Sequence, residues 1–291
     1  MAGIQTNRTA ISLPTAVSSE IIQTIQEESA VMRLARQIAL PGNGLTIPVI
    51  TADPEAAWVD ETDDKPVSNP GLSTKVIRGY KLAVIEPFSN QFRRDYGALY
   101  NALIARLPGV LAAKFDNTVF GGTNAPGSDF DTFKNLTAQD ISDDAYSALV
   151  AAVTDVAENG GELNGFALSP KAKGILLAAV DKSGRPLFVD NTAEGAIPRI
   201  LGAATYGSKG AYIQGSPDKV GFAGDWTKAM YGIVEGVDIT ISTDATLKLA
   251  NNTEINLFQK NMFAVRAEIE IGFRADLSAF NALTASGSVS A

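Results

Sequence analysis

Phe263-Ala264-Val265-Arg266-Ala267-Glu268-Ile269-Glu270-Ile271-Gly272-Phe273-Arg274 sets an apolar side chain at every second position. Successive side chains of a strand point to opposite faces, so this period of two predicts one long strand. Phe263, Val265, Ala267, Ile269, Ile271 and Phe273 then face a core. Arg266, Glu268, Glu270 and Arg274 lie on the other face. A face of mixed sign suits complementary pairing between copies of the chain as well as it suits solvent.

Upstream, the period changes. Tyr96, Leu99, Tyr100, Leu103, Ile104, Leu107, Val110, Leu111, Phe115 and Val119 recur at steps of three and four. That spacing predicts a long helix from Asp95, ended by Gly121-Gly122. Pro108 removes one backbone donor and predicts a bend. The expected buried face, packed under the closing strand, holds Leu103, Leu107, Val110 and Leu111.

Further elements are shorter. Ser18 and Ser19 can cap a helix carrying Ile21, Ile22 and Ile25, and a turn carries Val31, Met32, Leu34 and Ile38 up to Pro41-Gly42. Ser142 is expected to cap a helix with Tyr146, Leu149, Val150, Val153 and Val156. Gly165–Leu168 reads as a buried strand. Ser169-Pro170 places a capping hydroxyl before a proline at the first helical position. Residues 185–244 are Gly-rich with short strands, Val234–Ser242 the clearest. Helices and strands mix without a βαβ rhythm, so the class is α+β.

One stretch cannot build a core. Residues 51–75 crowd Asp53, Glu55, Asp60, Glu61, Asp63 and Asp64 among Pro54, Pro66, Pro70 and Gly71, with Trp58 in their midst. The flanks, Leu45–Ile50 and Val76–Ile85, have strand character. Two strands joined by an acidic tip of this length predict a projecting hairpin, and such loops are usually functional. Trp58 is expected to anchor the tip on another surface, since tryptophan is enriched at interface hot spots.

Composition removes most catalytic chemistry. The 291 residues include no Cys and no His, so disulfides, thiolate or Ser-His nucleophiles and zinc fingers are excluded. The net charge of −8 argues against tight binding to nucleic acid. No stretch approaches the ~20 apolar residues of a membrane span. Gly202–Lys209 imitates a phosphate loop, but its lysine is displaced by one residue and no Ser or Thr follows it. Ser216-Pro217-Asp218-Lys219 matches S-x-x-K without its companion motifs. Asp129-Phe130-Asp131 starts like a calcium loop but lacks the glycine and the terminal glutamate. The acidic cluster Asp60, Glu61, Asp63, Asp64 reads as a solvated loop before it reads as a cation site. No catalytic residue, metal or cofactor is expected.

The order of short signatures resembles the tailed-phage major capsid proteins of the Hong Kong 97-like fold. Ala56-Ala57-Trp58-Val59-Asp60-Glu61 is similar to the Trp-Val-x-Glu segment that opens the family's extended loop. Asp95–Gly122, ending in Phe120-Gly121-Gly122, resembles its spine helix. Ala167-Leu168-Ser169-Pro170, Gly184-Arg185-Pro186-Leu187-Phe188, Ile200-Leu201-Gly202 and Gly224-Asp225-Trp226 resemble turns and strands of its axial domain. Phe258–Met262, Arg266, Glu268 and Ala279-Phe280 resemble its closing strands. Each tripeptide alone says little; their order from Ser18 to Leu283 carries the resemblance.

The resemblance implies a layout and a role. Residues 1–33 would be an N-terminal arm and 51–75 the extended loop. Residues 34–50, 76–125 and 245–291 would form the peripheral domain, and 126–244 the axial domain. The chain would assemble with itself as hexamers and pentamers into an icosahedral shell around double-stranded DNA, without gripping it. There is no room before the arm for a fused scaffolding segment, so a separate scaffold protein, or none, would guide assembly; portal and decoration proteins are further partners. The protein would be made in the bacterial host cytoplasm and reside in the virion. Some relatives cross-link a loop lysine to a neighbour's asparagine. Lys65, Lys75, Asn256 and Asn261 lie in suitable regions, but do not match the motif residue by residue. Inter-subunit contacts are expected at Trp58, Asp60, Glu61, Asp63, Asp64, Arg266, Glu268, Glu270 and Arg274, with Arg93 and Arg94 as the basic surface that receives the loop. The rival readings are an encapsulin-type compartment and, from another class, an α+β hydrolase or ligand-binding enzyme.

Overall fold

A computed structural model describes residues 29–286 apart from 53–55, 61–63, 66, 68–70, 96, 181–184, 186, 188–198 and 249–251. The expected helix after Ser18 lies outside these residues. In chain order the elements begin with α1 (Ala30–Leu34), β1 (Arg36–Ala39), β2 (Leu45–Ala52), β3 (Gly71–Ile77), β4 (Tyr80–Ser89), α2 (Asn90–Asp95) and α3 (Gly97–Val119). They continue with β5 (Thr137–Asp140), α4 (Ala145–Glu158), β6 (Gly165–Leu168), α5 (Pro170–Ala178), β7 (Arg199–Ile200), β8 (Ala203–Gly207) and β9 (Asp218–Gly224). Last come β10 (Ala229–Ser242), β11 (Thr246–Lys248), β12 (Glu254–Asn256), β13 (Met262–Ala275) and β14 (Phe280–Ala285). Ile38, read as part of a turn, sits in β1.

Two larger sheets organise the body. One has the order β1-β10-β13-β4, the other β5-β14-β9-β6-β8-β7; β2-β3 and β11-β12 are separate ribbons. The expected division at 244/245 does not follow these sheets. Strand β10 belongs to the first sheet beside β13, whereas β14, at the end of the chain, lies between β5 and β9 in the second. The chain therefore crosses between the sheets more often than a simple domain order suggests.

The long strand is β13. Every residue of its apolar set, Phe263 to Phe273 by twos, is buried. Its neighbours β10 and β4 pair with it antiparallel along most of its length. Beneath the sheet, Leu107, Leu111, Phe115 and Val119 of α3 are buried at successive four-residue steps. Val110 is about half exposed, which narrows the predicted face: it lies on the flank of that stripe, and the side chain of Leu103 lies outside the described residues. The helix runs on through Pro108. It stops at Gly121, whose φ of 90° favours glycine. A Cβ there would lie 2.7 Å from the backbone of Lys134, so the turn also brings two backbones close together.

Phe133 joins the two sheets. Its ring lies 5.8 Å from Phe273 of β13, 5.8 Å from Phe222 of β9, 4.7 Å from Phe280 of β14 and 5.8 Å from Trp226. Trp226 is buried, and its indole N–H donates to the Gly165 carbonyl at 3.0 Å. A second core fills the space between α4, α5 and the far side of the six-stranded sheet, with Leu149, Phe166, Leu176 and Leu283. Ser169 caps α5 as expected, accepting from the Ala172 N–H at 3.2 Å. The cap of α4 is Asp144, not Ser142: its carboxylate accepts from the Ser147 N–H at 3.1 Å.

Candidate assembly surfaces

The projecting hairpin forms from β2 and β3, which pair from Leu45 opposite Ile77 to Ala52 opposite Gly71. Part of the expected loop, 71–75, is therefore strand. The stretch Val76–Ile85, read as one strand, is divided at Arg78-Gly79 between the hairpin and the four-stranded sheet. The cause is tertiary. A side chain at Gly79 would meet Val234 at 2.5 Å and Glu270 at 2.8 Å, so only glycine lets the chain turn against that sheet.

Among the described residues, the hairpin pairs with no other strand. Beyond it, Trp58 is fully exposed, and Val67 is exposed to 89%. Asp60, Asp64 and Lys65 are also exposed. Glu61 and Asp63 lie outside the described residues. No three Asp or Glu among the described residues gather closely enough to hold a metal ion.

Arg93 is exposed at the foot of α3, its guanidinium 5.0 Å from the centre of the Phe263 ring. The side chain of Arg94 is outside the described residues.

The charged face of β13, expected to pair with a neighbour, also makes contacts within the subunit. Arg266 lies 3.3 Å from Glu268 and 3.9 Å from Asp238, and Lys81 lies 3.8 Å from Glu268. Glu270 stands opposite Lys81 and Glu235 in the strand register, beside the turn at Gly79. Arg274 is the most committed. Its fork donates to Asp131 at 2.8 Å and Asp129 at 3.1 Å, and its Nε donates to the Val76 carbonyl at 2.7 Å. Asp129 and Asp131, read as a failed calcium loop, are thus the carboxylate partners of an internal arginine. Lys75 donates to the Ala275 carbonyl at 3.1 Å, and Asn90 donates to the Asn261 side-chain oxygen at 2.8 Å.

Two polar centres escaped the sequence reading. Asp116, buried on the apolar face of α3, accepts from the Ser29 hydroxyl at 2.5 Å, the Ser208 hydroxyl at 2.8 Å and the Ala30 N–H at 3.0 Å. It ties the root of the N-terminal segment to α3 and to the loop after β8. Burial pushes its carboxyl above the ordinary range, although these bonds pull the other way. The signal available was one carboxylate within the Leu107–Val119 stripe. Asp218 is held by Lys171 at 2.8 Å, the Gly215 N–H at 3.0 Å and the Tyr212 hydroxyl at 3.0 Å. The Lys171 contact, the Gly215 N–H and the Tyr212 hydroxyl lower its pKa to about 2.

A cleft of about 690 Å³ beside the end of α3 is lined by Gly122, Asn124, Lys134, Gln214 and Lys219, among others. Lys219 looks like an anion ligand but donates instead to the carbonyls of Phe133 and Lys134. Burial, then the charge of Lys134, pushes its pKa down. The ammonium completes a backbone turn. In the Lys171–Tyr212–Asp218 group the carboxylate, its pKa lowered to about 2, is too weak a base to activate the Tyr212 hydroxyl that donates to it.

The model of the phage capsid family matches residues 10–284. The probable major capsid protein of Mycobacterium phage D29 is 30% identical over 277 residues, 89% of this chain and 85% of that protein. The major capsid protein of Staphylococcus phage 80alpha is 23% identical over 90% of this chain and 82% of its own length. Among solved structures, a chain of Mycobacterium phage Ogopogo superposes with a TM-score of 0.75 at 17% identity, over 89% of this chain and 92% of that one. A chain of Gordonia phage Cozz gives 0.73 at 18% identity, over 90% and 87%.

Proposed function

The chain belongs to the phage capsid family, and on that premise we propose that it is the major capsid protein of a tailed phage, building an icosahedral head as hexamers and pentamers. The observation that carries the reading is the hairpin: a two-stranded ribbon ending beyond any core, with a fully exposed tryptophan. An isolated ribbon is marginal in water. It gains stability by lying on another surface, and in a shell that surface is the adjacent subunit. Trp58 is its largest apolar contact there. Asp60, Glu61, Asp63 and Asp64 face basic side chains, with Arg93 and Arg94 of the neighbour as the receiving surface.

Double-stranded DNA is enclosed without specific binding, consistent with a net charge of −8. Scaffold, portal and decoration proteins are the further partners, and synthesis takes place in the host cytoplasm. An encapsulin-type compartment is not favoured, because the relatives are phage capsid proteins. Electron microscopy of the purified protein tests the reading. Icosahedral or tubular shells with hexameric units are expected; a protein that stays monomeric under all assembly conditions overturns it.

A further inference from the structure

The hairpin is a lever with a small fulcrum. Its paired region spans Ile77 to Gly71, and at ~3.4 Å per residue this is about 20 Å. A tilt of 10° at the root would carry the far end about 3–4 Å, enough to take a side chain out of contact. No ladder of hydrogen bonds to a larger sheet resists such a tilt among the described residues. What does hold the root is a set of side chains that converge on Val76, Ile77 and Arg78.

Arg274 sits at the centre. One edge of its guanidinium faces Asp129 and Asp131, and its Nε reaches the Val76 carbonyl on β3. The aspartates are fixed in turn. Asp131 accepts from the Ala275 N–H at 3.1 Å, its own N–H donates to the Phe273 carbonyl at 3.2 Å, and the Asp129 N–H donates to the Tyr80 hydroxyl at 3.3 Å. Arg78, one residue beyond β3, lies 3.4 Å from the other oxygen of Asp129. Lys75 adds a strut to Ala275. Underneath, the Arg78 carbonyl rests on Gly272, where a side chain would collide with it. The Arg274 side chain is only 12% exposed, so these charge-assisted bonds are poorly screened by solvent.

We propose that Arg274, with Asp129 and Asp131, is a positioning clamp that sets the direction in which the hairpin leaves the body, and so where its tip meets the next subunit. The inference rests on the shell-subunit reading for its consequence, but not for its geometry. The fork matters as well as the charge: a lysine reaches one carboxylate as a point charge, and cannot hold two aspartates and a carbonyl in one plane.

The chain has no cysteine, so two introduced thiols can be labelled uniquely. Ser73→Cys on the exposed side of β3 and Glu158→Cys at the end of α4 give a spin-label distance from hairpin to body in free subunits. A narrow distribution is expected with the clamp intact. Arg274→Lys and Arg274→Gln should widen it, and Arg78→Gln, which removes only the outer contact, should widen it less. If the Arg274→Gln subunit does not fold, Arg274→Lys and Arg78→Gln still decide the matter. An unchanged distribution in folded Arg274→Lys subunits overturns the clamp. Particles of native diameter and yield from a variant with a widened distribution overturn its role in assembly. Failure of the unaltered chain to form any shell would instead remove the shell-subunit reading and leave the distance result standing.

Discussion

The two tryptophans mark two ways of using apolar surface. Trp226 is buried among Phe133, Phe280 and the backbone of Gly165, with its one polar atom bonded. Trp58 is fully exposed at the end of a ribbon. Both are large apolar groups beside acidic residues, Asp225 in one case and Asp60 in the other. The difference lies in their surroundings: Trp226 meets the folded subunit from several elements at once, and Trp58 is fully exposed to solvent. Covering a tryptophan removes about 150–250 Å² from water, which at ~25 cal/mol/Å² is worth up to roughly 4–6 kcal/mol. One site realises that gain within the monomer. The other leaves it unrealised in the subunit; under the proposed shell role it would favour association and not folding.

If the contrast is sound, the largest loss of subunit stability should come from the aromatic joint. Phe133→Ala removes a ring fully surrounded by others, shared by both sheets and the end of α3. It should cost ~3–5 kcal/mol, a range typical of buried aromatic truncation. Denaturant unfolding of free subunits measures this. A loss under about 1 kcal/mol would mean that the two sheets do not depend on that joint, and would break the comparison on the buried side.

Acid should separate two carboxylates of the body. Asp218 has its pKa lowered from 3.8 to about 2 by Lys171, the Gly215 N–H and the Tyr212 hydroxyl. Its contribution to stability is therefore complete above pH 3.8 and is lost as pH falls towards 2. Asp116 has its pKa raised by burial, so its contribution is complete below 3.8 and declines as pH rises through the folded value. Lys171→Met should make the acid limb between about pH 4 and 2 shallower, because the lysine is the first cause of the low Asp218 value. Asp116→Asn should leave that limb alone and flatten the dependence above it. Urea midpoints across the range read both, and an unaltered limb in Lys171→Met would show that Asp218 does not govern it.

Legibility in the sequence followed the range of the interactions. Strand β13 was readable to within a residue or two, because a period of two is a local property and its apolar face is continuous. The end of α3 was readable from Gly121-Gly122, and the start of α5 from Ser169-Pro170. The break at Arg78-Gly79 was not, since Val76–Ile85 is strand-like throughout and the close approach of Val234 and Glu270 that leaves room only for glycine at 79 is tertiary. Arg274 was visible as a charge on the outer face of β13. Its partners lie 143 and 145 residues away, and no spacing rule connects them. Asp144 displaced Ser142 as the cap of α4 because either residue type can cap, and only the backbone geometry chooses between them. For the hairpin, the absence of core-forming residues was itself the signal, and it identified the region without giving its contacts.

The smallest effect on the subunit is expected at Trp58. Trp58→Ala deletes a fully exposed side chain, so free subunits should unfold within about 0.5 kcal/mol of the unaltered chain. The same substitution should lower the stability of assembled shells, since it removes the largest apolar group of the hairpin tip. Fluorescence can follow both tryptophans, because the chain has only two. In free subunits acrylamide should quench Trp58 readily and Trp226 hardly at all, giving two populations; in shells both should be protected. Trp58→Ala should leave a single protected population in either state. A readily quenched population persisting in shells would place the tip in solvent after assembly, and the gain of covering Trp58 would then have to come from a partner other than the neighbouring subunit.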